Sequence, residues 1–136
     1  MIAPRHLLLV LSLAAPVMLL TAAAAQMPDA IAASGEGVVA TLHAEGAQVY
    51  DCKADANGKL AWQFREPIAT LLRDGATAGR HYAGPTWEAS DGSAITGKAV
   101  ANVPGTTPAD IPWLKLDVIG HRGSGTLSSV TTVQRT

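Results

Sequence analysis

The chain has 136 residues, with 10 Lys and Arg against 11 Asp and Glu, a formal net charge of −1 and one cysteine. That length makes one small domain. The near-neutral balance, with no basic block, excludes a nucleic-acid binder or a protein held electrostatically on anionic lipid. The single cysteine excludes a metal site built on thiolates.

At the N-terminus, Arg5 and His6 precede an apolar run, Leu7 to Leu20, interrupted by Ser12 and Pro16, and small residues follow at Ala23 and Ala25. This is the layout of a secretory signal peptide. It predicts a signal over residues 1–25, cleaved after Ala25 with Ala24 as runner-up, and a periplasmic or secreted destination. Leu7 to Ala25 approaches the length of a membrane span, but Pro16 and the small-residue tail argue for cleavage. No cysteine near that point offers a lipid anchor, and no later stretch is long and apolar enough to span.

Residues 26–37 read as a flexible mature N-terminus and 38–136 as a single β domain. Val38 to Ala44 is a strand candidate. Gln48 to Ala54 and Leu60 to Phe64 form a hairpin about Asn57-Gly58, a two-residue turn signal, with Leu60, Trp62 and Phe64 on one face. Pro67 is expected to end that strand, leaving Ile68 to Leu72 as a short strand or a helical turn. "GRHYAGPTWEA" reads as a strand interrupted at Gly84-Pro85, and "SDGS" as a turn. Ala94 to Val103 is a strand candidate. Trp113 to Ile119 alternates Leu114, Leu116 and Val118 against Trp113, Lys115 and Asp117. "TLSSVTTVQRT" is a final strand rich in β-branched residues. No stretch sustains a helical period. Short strands at regular spacing, separated by turn signals, point to a mainly β fold: a small antiparallel β-sandwich or a partly open β-barrel.

The segment His81 to Ser93 concentrates the candidate chemistry. His81, Tyr82, Trp87, Glu88, Asp91 and Ser93 are its tentative ligand-binding residues. An aromatic beside acids is suited to stacking and hydrogen-bonding a small polar ligand. His81, Glu88 and Asp91 are possible ligands for zinc or copper, without a recognised metal spacing. Glu88 and Asp91 also make a carboxylate pair of the kind glycosidases use. Ser93, His81 and Asp91 have the residue types of a hydrolytic triad, without the strained nucleophile turn. Against these stands the bland reading, in which His81 bonds a backbone group and Asp91 caps its own turn. Of the three tryptophans, two are expected in the core and Trp87 at the surface. Cys52 is expected as a half-buried strand residue; a free thiol, an intermolecular disulfide and a missing partner stay open. His43 and His121 are expected at the surface.

Several spacings are shared with a known family: Gly46-x-x-x-Tyr50-x-Cys52, Trp62-x-Phe64-x-x-Pro67-x-Ala69-x-Leu71, Gly79-x-His81-Tyr82-Ala83-Gly84-Pro85-x-Trp87 and Asp91-Gly92-Ser93. Ile111-Pro112-Trp113-Leu114, Gly123-x-Gly125-x-Leu127 and Gln134-Arg135 complete the set. Their order resembles a family of exported bacterial and fungal proteins, domain of unknown function 3455, over about Gly35 to Arg135. The resemblance implies no assigned activity or catalytic residue. Some fungal members carry a malate dehydrogenase label, for which this sequence has neither a G-x-G-x-x-G turn nor βαβ alternation. Members continue past the Gln-Arg pair with a second cysteine and a Tyr-rich closing strand. The resemblance thus implies a chain that is truncated, frameshifted or shortened at Thr136, with a partner for Cys52 missing and a sheet edge exposed.

The functional expectation is a non-enzymatic exported domain that binds a small polar ligand or a cell-envelope component through His81 to Ser93, with no cofactor. A hydrolase or metal-dependent enzyme using His81, Glu88 and Asp91 is the alternative. A structural envelope protein, in which the segment is an internal brace, is the second.

Overall fold

The structure, a computed structural model, describes residues 27–136; the expected signal peptide and its cleavage point lie outside the described residues. Seven strands follow one another: β1 (His43–Ala54), β2 (Leu60–Arg73), β3 (Ala76–Tyr82), β4 (Thr86–Ala89), β5 (Ala94–Val103), β6 (Trp113–Arg122) and β7 (Thr132–Arg135). They form one antiparallel sheet in sequence order, β1 to β7. The fold is therefore mainly β, as the strand spacing predicts, built as a single meandering sheet that does not close. Each turn returns the chain beside the strand it has just left, so every pairing is a local hairpin.

The register breaks at Val49/Tyr50, Leu71/Leu72, Thr96/Gly97 and Ala99/Ala101. Such bulges bend and twist a sheet. The curl they help produce brings residues of β2, near one edge, and of β7, at the other, to the lining of one cavity.

Several local expectations are corrected. The β1–β2 loop is longer than a two-residue turn. The Gly58 amide donates to the Asp55 carbonyl, and the Asp55 amide to the Lys59 carbonyl. This is a type I turn whose exit residue, Gly58, takes a left-handed φ of 77°. The Asp55 carboxylate accepts the amides of Asn57 and Lys59, which favours that longer turn. Pro67 does not end its strand: β2 runs on to Arg73. Only Ala69–Arg73 of β2 pair with β3, so Pro67 precedes that ladder and interrupts none of it. Val38 to Leu42 forms no ladder, and β1 begins at His43. The final strand is confined to Thr132–Arg135, and the Leu127 side chain is buried in the loop before it.

The core is small: Ile31, Leu71, Ala94, Ile95, Leu116 and Leu127 are its buried apolar residues. Ile31 belongs to a 3-10 turn, Asp29–Ile31, inside the stretch read as a flexible lead-in. Its side chain is 0 % exposed. Gln134 Nε2 donates to the Ile31 carbonyl and Lys115 Nζ to that of Ala32. Lys115 and Gln134 are register partners on β6 and β7. The lead-in thus covers the sheet face that these two share, opposite the one presented by Leu114, Leu116 and Arg135.

The tryptophans are also redistributed. Trp62 is 74 % exposed, whereas Trp87 and Trp113 are half-buried. The reason is topological. Trp62 lies on the outer arm of the β1–β2 hairpin, beyond the reach of β3, while Trp87 lies on central β4. Cys52, paired with Trp62, is exposed as well rather than half-buried. Tyr50 and Phe64 meet edge to face, 5.6 Å between centroids, on the same arm.

Candidate functional site

The break expected at Gly84-Pro85 is a reversal. Residues 83–85 form a tight loop that folds β4 back on β3, so His81 pairs with Trp87, Arg80 with Glu88 and Tyr82 with Thr86. Thr86 Oγ1 fastens the loop by donating to the Ala83 carbonyl, 3.0 Å away. Since alternate residues face opposite sides of a sheet, this register divides the six sequence-predicted residues among three places.

His81 and Trp87 share one face. Their rings stack 4.3 Å apart at 14°. His81 is buried, and its Nδ1–H donates to the Thr86 carbonyl at 2.9 Å. A carbonyl can only accept, so this bond puts the proton on Nδ1 of the neutral ring and leaves Nε2 as an acceptor. Burial pushes the imidazole pKa below its ordinary value, against the opposing effect of the Thr86 bond, so the neutral form prevails near pH 7. Trp87 lies close over Gly97: a Cβ there would stand 3.0 Å from the indole Cζ3 and 3.2 Å from Leu116 Cβ. Glycine at that position lets the indole lie near the β5 backbone.

Tyr82 and Glu88 take the other face with Arg80 and Arg122. Glu88 Oε2 accepts from the Tyr82 hydroxyl at 2.7 Å and from Arg122, and Oε1 accepts from Arg80 at 3.0 Å. Arg80 also lies over the Tyr82 ring, 5.0 Å from its centroid. The Tyr82 bond foremost, reinforced by both arginines, holds the Glu88 carboxyl below the usual carboxylate range. It is an ionised strut across β3, β4 and β6, with both oxygens engaged.

Asp91 and Ser93 sit in the β4–β5 turn. Asp91 Oδ1 accepts the Ser93 amide at 2.9 Å and its hydroxyl at 2.5 Å; Oδ2 accepts the Thr126 amide at 2.7 Å and hydroxyl at 2.8 Å. Ser93, 0 % exposed, in turn accepts the Leu127 amide at 3.1 Å. These bonds, the Ser93 hydroxyl first among them, drive the Asp91 pKa far below that of a free aspartate. The cluster clasps the β4–β5 turn to the β6–β7 loop.

His81, Glu88 and Asp91 therefore have no common centre. Among the described residues, no group of three or more His, Cys, Asp or Glu side chains is placed to hold a metal ion. The Ser93 hydroxyl proton is engaged by Asp91, and the His81 Nδ1 proton by Thr86. Of the other histidines, His43 is exposed beside Glu45, and exposed His121 bonds the Val130 carbonyl through Nε2.

A concave feature lies above the His81–Trp87 pair. A cavity of about 430 Å³ is walled by Phe64 and Pro67 of β2, Pro85 of the tight loop, and Leu114 and Leu116 of β6, with Arg65 and Arg135 at its sides. Phe64 and Pro67, three apart, reach the same cavity because the β2 bulge at Arg65, opposite Val49/Tyr50, resets the alternation. Arg65 is committed: its Nε donates to Glu66 and its Nη1 to Asp51. Arg135 is not fully committed. Its Nη2 donates to the Pro112 carbonyl at 2.6 Å, but its Nε is buried with no hydrogen-bond partner. Burial lowers the Arg135 pKa from the ordinary guanidinium value.

Leu114, Leu116 and Arg135 were not among the residues singled out in the sequence. Gln134-Arg135 stands out there only as a pair shared with the family. The strand alternation placing Leu114 and Leu116 together is legible, but the curl that carries them over His81 is not.

A small all-β domain, one curled antiparallel sheet with a largely apolar cavity on its inner face, is the class that these features define. Residues 33–79 and 73–136 match the family described as Protein of unknown function (DUF3455), and the chain belongs to that family. No curated protein and no solved structure matches it.

Proposed function

We propose that the protein is an exported, non-enzymatic binding domain whose site is the cavity floored by His81 and Trp87, and that its ligand is a small, largely apolar molecule. The observation that carries this reading is the cavity itself. Its size falls in the range of small-molecule sites, and its walls are aromatic, prolyl and aliphatic, with few polar groups. The ligand is then less polar than the sequence segment alone suggests, because Tyr82, Glu88, Asp91 and Ser93 are consumed by bonds within the protein. Those bonds favour a bracing role for those four residues, and of the six candidates only His81 and Trp87 face the ligand.

The test is titration with N-phenyl-1-naphthylamine, a neutral probe that fluoresces in apolar surroundings, against the parent and Ala99→Trp. Ala99 is exposed and lies at the cavity wall, so an indole there fills the space without disturbing the core. Saturable binding to the parent that weakens at least ~10-fold in Ala99→Trp, about 1.4 kcal/mol, is the expected result. Equal binding to both proteins would place the probe on the exposed Leu60 and Trp62 surface instead and refute the cavity reading.

A further inference from the structure

The strongest unexplained feature of the cavity is its charge. Two arginines line it, and no aspartate or glutamate does. Arg65 already has carboxylate partners in Glu66 and Asp51. Arg135 has none among the described residues, and its terminal nitrogen is bonded only to a neutral carbonyl. A guanidinium next to Leu114 and Pro112 loses much of its hydration, and a buried donor without an acceptor costs free energy in the native state. Native proteins pair nearly all such groups, so one left without an acceptor inside the chain calls for a partner or a role. The position is also built rather than accidental: Arg135 pairs with Leu114 in the β6–β7 ladder and its side chain is pinned by Pro112.

We infer that the cavity selects an amphiphilic carboxylate, an acyl or aryl acid, whose carboxylate takes the Arg135 Nε–H and whose apolar body lies against Phe64, Pro67, Pro85 and Leu116. This rests on the cavity reading above. A neutral alcohol or amide would also accept the Nε–H, but would leave the guanidinium charge unneutralised beside apolar walls. A carboxylate adds an ion pair to that hydrogen bond, which an alcohol accepting from the same guanidinium does not. The size agrees: 430 Å³ corresponds to about fourteen groups of water size at ~30 Å³ each, room for an acid of about ten carbons.

The experiment displaces bound N-phenyl-1-naphthylamine with decanoate and, separately, with 1-decanol, which share the chain and differ in charge. On the parent protein decanoate is expected to displace the probe at a concentration at least ~10-fold lower. In Arg135→Gln that preference collapses to within about threefold, while decanol binding is unchanged. Equal displacement by acid and alcohol on the parent, or no displacement by either while the probe binds in the cavity, overturns the carboxylate inference and leaves the cavity reading standing. A preference that survives in Arg135→Gln overturns the assignment to Arg135. Failure of the probe to distinguish the parent from Ala99→Trp removes the cavity reading and this inference with it. If Arg135→Gln does not fold, the comparison on the parent decides alone.

Discussion

Replacing Ser93 by alanine removes one oxygen atom from a fully buried position. That oxygen donates to Asp91 Oδ1 at 2.5 Å and accepts the Leu127 amide at 3.1 Å. The two halves of the loss differ. The Asp91 carboxylate lies at the surface and keeps the Ser93 amide and both Thr126 donors, so water replaces the missing bond at little cost. The Leu127 amide is in a buried environment and is left with no acceptor from Ser93. A stranded buried amide costs about 1–3 kcal/mol. In a domain of this size each kcal/mol lowers the melting temperature by about 4 °C or slightly more. Thermal unfolding of Ser93→Ala, followed by circular dichroism at pH 7, is therefore expected about 4–12 °C below the parent. Melting within 1 °C of the parent would show that the clasp between the β4–β5 turn and the β6–β7 loop does not hold the fold, and the bracing role would fall.

The same clasp sets a pH dependence. The folded pKa of Asp91 lies below its unfolded value near 3.9, so its contribution is complete above about pH 5 and is lost as acid protonates the unfolded chain first. The melting temperature should fall from pH 5 to pH 2, less steeply in Asp91→Asn; an unchanged slope would show that other carboxylates carry the acid response. Glu88 and Glu36 have the same sign, Glu36 through its bonds to Thr131 and Thr132, so the slope is reduced rather than abolished. At Gly97, a methyl group would meet Trp87 and Leu116 at 3.0 and 3.2 Å. Gly97→Ala is expected to destabilise by about 1 kcal/mol, the low end of overpacking, and to shift the tryptophan emission; a variant as stable as the parent would deny the close indole packing.

The strands were legible wherever pattern and turn chemistry agree. Ala94 to Val103 appears as a strand with those limits, and the alternation of Trp113 to Ile119 matches β6, with Leu116 buried. Signals that depend on a neighbour misled. Pro67 is a strand breaker by composition, yet β2 passes through it because no third strand pairs there. Trp62 and Trp87 are equivalent by hydrophobicity, and only the extent of β3 leaves one exposed and half-buries the other. The candidate site behaved likewise. His81 to Ser93 was visible as a concentration of polar and aromatic residues, but a three-residue reversal at residues 83–85 decides which of them face which way.

What the sequence by itself determined is the local chemistry: a mainly β chain, hairpins at its Gly, Asn and Asp turns, and membership of a family written in spacings from Gly46 to Arg135. These depend on residues a few positions apart, where steric and hydrogen-bonding preferences act without help. What only the tertiary structure decided is the cavity. Phe64, His81, Trp87, Leu116 and Arg135 are scattered over 72 positions of the chain, counting from 64 to 135. They meet because bulges bend one open sheet until near-opposite edges line the same hollow, and that curvature is a property of the assembled ladder, not of any single strand.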